Sequence, residues 1–183
     1  GMLSRYAMSR FKGLVYGPHE LWLYSRQRLN GTLRRMQREQ AACSTSQERL
    51  ALAQRYFAPC QQPAEILALL DWTSAWRPET VVEIGVGRGG TTYLLCAAIP
   101  SVRQVIGVDY FPRNRRLLRK ATPSHVRLDL VFGASASRKT LAAVKALLGG
   151  RPIDLLFIDG NHSYDGVRAD YQAYRPLVRR GGW

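Results

Sequence analysis

The chain is short of acid, short of cysteine and without any long apolar run, and each shortage removes a class of protein. Nowhere does it approach the roughly 20 consecutive apolar residues that a membrane-spanning helix needs. Its N-terminus lacks the basic, apolar, then small-residue order of a secretory signal. The cysteines are three, Cys43, Cys60 and Cys96, an odd number with no C-x-x-C spacing. That argues against a disulfide framework and against a structural zinc site, and places the chain in a reducing compartment, the cytoplasm. No internal repeat and no low-complexity tract appear. What remains is a chain of 183 residues with 46% hydrophobic content, ordinary for a folded globular protein.

Lys and Arg number 27 against 13 Asp and Glu, a formal charge of +14. The excess is uneven. Residues 1–40 hold eight basic side chains against two acids, and residues 81–120 hold seven against two. A basic balance suggests nucleic acid, an anionic membrane or an acidic substrate. No nucleic-acid motif accompanies the charge, so a solvated basic surface is the preferred reading, with an RNA-associated enzyme or basic nucleic-acid-binding protein as the alternative.

Periodicity divides the chain near residues 77–79. Before it, a helical pattern runs from His19 to about Gln40, a second helix starts at Ser44-Thr45-Ser46 and reaches Phe57, and Pro63 opens a third, "PAEILALLDWTSAW". Residues 1–77 thus read as a helical extension. After it, β-branched runs alternate with helical ones: "TVVEIGVG", "QVIGVDY", "VRLDLVFG" and "IDLLFID" are strands, separated by helices. The expected fold of residues 78–183 is α/β, a Rossmann-like parallel sheet with helices on both faces. Its alternation stops after strand four, so the strands that such folds usually add next are expected to be absent from this chain.

The strand ends carry the chemistry. "EIGVGRGG" sets Glu83 two residues before Gly85, followed by Gly87, Gly89 and Gly90. A glycine turn between strand and helix lets backbone approach a ligand closely. Asp109 ends the second strand, where a carboxylate accepts hydrogen bonds from ribose hydroxyls. NAD(P) and S-adenosylmethionine both carry that ribose. Glu83 discriminates between them: a carboxylate suits a cationic amino-acid or sulfonium end and repels a pyrophosphate. E-x-G-x-G-x-G resembles the first motif of class I S-adenosylmethionine-dependent methyltransferases, and NAD(P) binding stays as the rival. Gly133, Ala134 and Ser135 follow strand three, where the resemblance implies contact with adenine. Many relatives have an acid at the position of Ala134.

"IDGNHSYDGV" raises the catalytic question. Asp159 ends strand four, beside strand one, and His162 follows three residues later. An imidazole takes protons near neutral pH, and a carboxylate can hold a hard cation, which lowers the pKa of a substrate hydroxyl. With "VVEIGVGRGGTT" and "VIGVD", this stretch resembles the cephalosporin hydroxylase-like group of class I methyltransferases, which includes magnesium-dependent sugar O-methyltransferases of macrolide biosynthesis. The resemblance spans about residues 61–183, including the lead-in "QPAEILALL". It implies Asp159 as metal ligand and His162 as general base, with S-adenosylmethionine and Mg2+ as cofactors. The family's other metal acids follow a strand expected to be missing here. The expected partner is a small hydroxylated acceptor, with a homo-oligomer open. A non-catalytic cofactor-binding subunit is the further alternative.

Overall fold

The computed structural model of the chain describes residues 31–183. The expected helix over His19–Gln40 falls partly outside them: helix α1 runs Thr32–Ala42, with Gly31 at its N-cap. Helix α2, Ser46–Tyr56, starts where its sequence signals it. The Thr45 hydroxyl accepts from the Glu48 N–H while the Glu48 carboxylate accepts from the N–H of Thr45, satisfying two donors that a bare helix start would orphan. Helix α3, Pro63–Trp76, has proline in its first turn and ends on Arg77 in the left-handed region. Among the described residues no helix is long and apolar enough to cross a membrane.

Four strands follow: β1 Thr80–Ile84, β2 Gln104–Asp109, β3 Arg127–Phe132 and β4 Leu155–Ile158. All pair in parallel, in the order β3-β2-β1-β4. Between and after them lie α4 Gly90–Ala97, α5 Arg115–Ala121, α6 Arg138–Leu148 and α7 Tyr164–Tyr174, the last ending in a 3-10 turn at Arg175–Leu177 that contains Pro176. The α/β Rossmann-like expectation is what the sheet shows. Beyond the outer edge of β4, the Trp183 N–H donates to the Asp154 carbonyl and the Leu156 N–H donates to Trp183, so the final residues lie alongside the sheet.

Strand residues alternate between faces, and the core divides accordingly. Val81 and Val105 face one cluster, with Leu94, Leu95 and Leu118 of α4 and α5. Met36, Leu50, Leu52 and Phe57 join the same cluster, so α1–α3 share a core with the sheet. Val82, Ile84, Ile106 and Val108 face the other cluster, with Val144, Leu148 and Tyr174 of α6 and α7. Helices thus cover both faces, as near-continuous apolar strands require.

The strand order places the site. From β1 the chain steps outward to β2 and β3, then returns to lay β4 on the opposite side of β1. Connections at the carboxyl ends of β1 and β4 therefore leave in opposite directions and open a crevice between them.

Candidate functional site

The turn after β1 is built for close approach. Gly85, Gly87 and Gly89 all have positive φ, at 99°, 54° and 88°. At Gly85 a β-carbon would collide with the carbonyl of Asp159, so glycine alone lets the β1 turn sit against the end of β4. The Asp159 N–H donates to the Ile84 carbonyl at 2.7 Å, fixing the two strand ends side by side. The N–H groups of Gly85, Gly87 and Gly89 are turned inward, onto Val108 carbonyl, the Asp109 carboxylate and Val86 carbonyl. What these glycines offer a ligand is shape.

Asp109, at the end of β2, receives the Gly87 N–H on Oδ2 at 2.7 Å and the Phe111 N–H on Oδ1 at 2.7 Å. Each oxygen keeps a lone pair for a further donor. Its backbone carbonyl accepts from the Gly133 N–H at 3.0 Å, which draws the β3–α6 loop alongside. Tyr110, Phe111 and Phe132 expose their rings around this corner. Within that loop the Ser137 N–H donates to Ala134 carbonyl. Ser135 is turned the other way: its hydroxyl donates to the buried Asp170 of α7, and its carbonyl accepts from the Tyr174 hydroxyl at 2.9 Å.

Glu83 is wholly buried in the middle of β1, beneath the turn. Thr92 of α4 donates its hydroxyl to Oε2, while Oε1 has no partner. Burial, with Asp159 and Asp109 adding repulsion, pushes the carboxyl up to about 8. Kept neutral by its burial, the carboxyl leaves Oε1 as an unpaired polar atom beneath the turn.

At the adjoining end of β4, Asp159 Oδ1 lies 3.5 Å from His162 Nε2, and the imidazole is 81% exposed. Ser163, not Asp159, caps α7, its hydroxyl accepting from the Gly166 N–H. Asp159 is therefore not consumed as a helix cap. Tyr164 is exposed beside His162.

Two site residues carry no signal in the sequence. Gln61, in the linker between α2 and α3, donates its amide N–H to Asp159 Oδ2 at 2.5 Å and accepts from the Thr91 hydroxyl at 2.6 Å. Nothing in "QQPAE" marks a glutamine for this, because its partners lie 98 and 30 residues away. Asp170 is one acid among several on α7, and only the fold shows that it is buried and holds Ser135.

The described residues do not assemble a cation site of the kind the resemblance implies: no group of three His, Cys, Asp or Glu able to hold a metal occurs among them. Asp159 and His162 are together, but Asp159 already spends Oδ2 on Gln61.

Set against known proteins, residues 82–183 match the family described as "Methyltransferase domain". Among solved structures, cofactor-bound Rv0187 from MTB is similar at 25% identity and a TM-score of 0.51, over 72% of this chain and 59% of that one. An O-methyltransferase from Bacillus cereus in complex with SAH shares the fold at 18% identity and a TM-score of 0.52, over 75% and 62%. The chain thus spans about three-fifths of the length of either. No curated protein matches it.

Proposed function

Because the chain belongs to the methyltransferase-domain family, we propose that it moves a methyl group from S-adenosylmethionine to a hydroxyl oxygen of a small molecule, a sugar or similar hydroxylated natural product. One observation carries the reading: the Asp159–His162 pair stands at the end of β4 beside the glycine turn, on the same sheet edge as Asp109, where the strand order reverses. Within the family, the string from Ile158 to Tyr164 favours the cephalosporin hydroxylase-like group.

S-adenosylmethionine, when bound, supplies an electrophilic methyl on a sulfonium centre. Asp109, oriented by two backbone N–H groups, has lone pairs left for two ribose hydroxyls. Gly133, Ala134 and Ser135 wall the adenine end, held to Asp109 on one side and to α7 on the other. Gly85 lets the turn close against the end of β4, and Gly87 leaves open the space where a side chain would stand. Glu83, beneath the turn, keeps one carboxyl oxygen without a partner.

His162 is the general base. Its Nε2 faces Asp159, which leaves Nδ1 to take the proton of the acceptor hydroxyl as the oxygen becomes nucleophilic. Asp159 orients the imidazole and steadies the imidazolium that forms. Magnesium has no assembled site among the described residues, so no step is assigned to a metal.

Calorimetric titration with S-adenosylhomocysteine tests the reading. Saturable binding with one site per chain is expected. Neither heat nor a thermal shift at millimolar ligand would refute it.

A further inference from the structure

The α2–α3 linker lies against the crevice, although it is outside the stretch that matches the methyltransferase family. Phe57 stacks on Tyr93 of α4 at 5.2 Å. Ala58 turns the chain with φ at 47°, and Pro59 packs so closely on Gly90 that a β-carbon there would meet it at 2.6 Å. The path delivers Gln61 between Thr91, in the first turn of α4, and Asp159 at the end of β4.

The polarity of this bridge is fixed. The Thr91 hydroxyl has one proton and spends it on the Gln61 carbonyl. Its oxygen then keeps only lone pairs. The Gln61 amide N–H donates to Asp159 Oδ2, leaving Oδ1, 3.5 Å from His162 Nε2, with a further lone pair as the outward acceptor. Both ends of the bridge therefore present acceptors, and a cationic group is the complement. We propose that Gln61 is a positioning residue that sets Thr91 and Asp159 as paired acceptors for the ammonium of the cofactor's amino-acid end. This rests on the S-adenosylmethionine reading above and adds a residue from the helical extension to it. An apolar side chain of equal length would free the Thr91 proton to point into the crevice and let the Asp159 carboxylate rotate. An incoming ammonium would then meet a donor where it needs an acceptor.

Two probes separate this role from mere support of the fold. S-adenosylhomocysteine carries the amino-acid end, and 5′-methylthioadenosine lacks it. In Gln61→Met, affinity for S-adenosylhomocysteine should fall by about 10-fold or more, the scale of a hydrogen bond to a charged group. Affinity for 5′-methylthioadenosine should stay as in the wild type. Equal weakening of both ligands, or of neither, overturns the proposal while leaving the methyltransferase reading in place. Wild-type protein that binds neither overturns both. Should Gln61→Met fail to fold, Gln61→Leu carries the same comparison, since it too can neither accept from Thr91 nor donate to Asp159, and an unselective result again overturns the role.

Discussion

Glu83 is the residue on which pH should act most plainly. Folded, it keeps its proton up to about 8, while its ordinary value is 4.5. Between those values the folded state binds more protons than the unfolded one, so the contribution of Glu83 to stability is full below about 4.5 and is lost as pH rises through about 8. Glu83→Gln keeps the shape and an acceptor for Thr92 but removes the titration. Denaturant midpoints of the two proteins should diverge with pH across that window, the wild type losing ground to the variant. A constant difference from pH 4 to pH 9 would show that Glu83 does not titrate as its burial requires. Asp109→Ala removes the acceptor of the Gly87 and Phe111 N–H groups together with the proposed ribose contact. Affinity for S-adenosylhomocysteine, measured by calorimetry, should drop by at least about 10-fold. An unchanged affinity in a folded variant would remove Asp109 from the ribose.

At the scale of elements, the site depends on how closely backbones approach one another. The N-terminus of α4 tolerates Pro59 above it only because residue 90 has no side chain. Gly90→Ala therefore drives the α2–α3 linker outward, since the nearest atoms belong to the rigid proline ring and backbone rather than to a yielding side chain. The expected cost is about 1–3 kcal/mol of stability, typical of overpacking. Gln61 should lift from Asp159 with the linker. A crystal structure of Gly90→Ala that retains the Gln61 bridge would contradict this coupling. The β3–α6 loop is tied in the same manner, through Ser135 to Asp170 and Tyr174 of α7. The helix that begins beside His162 thus also steadies the loop at the far side of the crevice.

For the whole molecule, the shared core of α1–α5 and the sheet has a thermodynamic consequence. Met36, Leu50 and Phe57 are buried in the same cluster as Leu94 and Val105. The helical segment before β1 should therefore unfold with the sheet and not ahead of it. Helix content by circular dichroism and tryptophan fluorescence should trace one coincident transition in denaturant. Phe57→Ala, which empties a fully buried ring site stacked on Tyr93, should lower the stability of that single transition by about 3–5 kcal/mol. Two separated transitions would show that the N-terminal helices melt independently.

The sequence by itself determined the alternation of strand and helix, the starts of α2 and α3, and the residues at the carboxyl ends of the strands, because all of these rest on local rules. Hydrophobic periodicity, a capping box, a proline in a first turn and glycines after a β-branched run act over a few residues. Glu83, Asp109, Asp159 and His162 were legible for that reason: parallel strands deliver their carboxyl ends to one edge whatever surrounds them. What each of them touches was set by long-range packing. It put Glu83 out of solvent, spent the glycine N–H groups inside the turn, turned Ser135 toward Asp170, and brought Gln61 onto Asp159. The last two rest on contacts 35 and 98 positions apart in the chain, and no local pattern encodes such a contact.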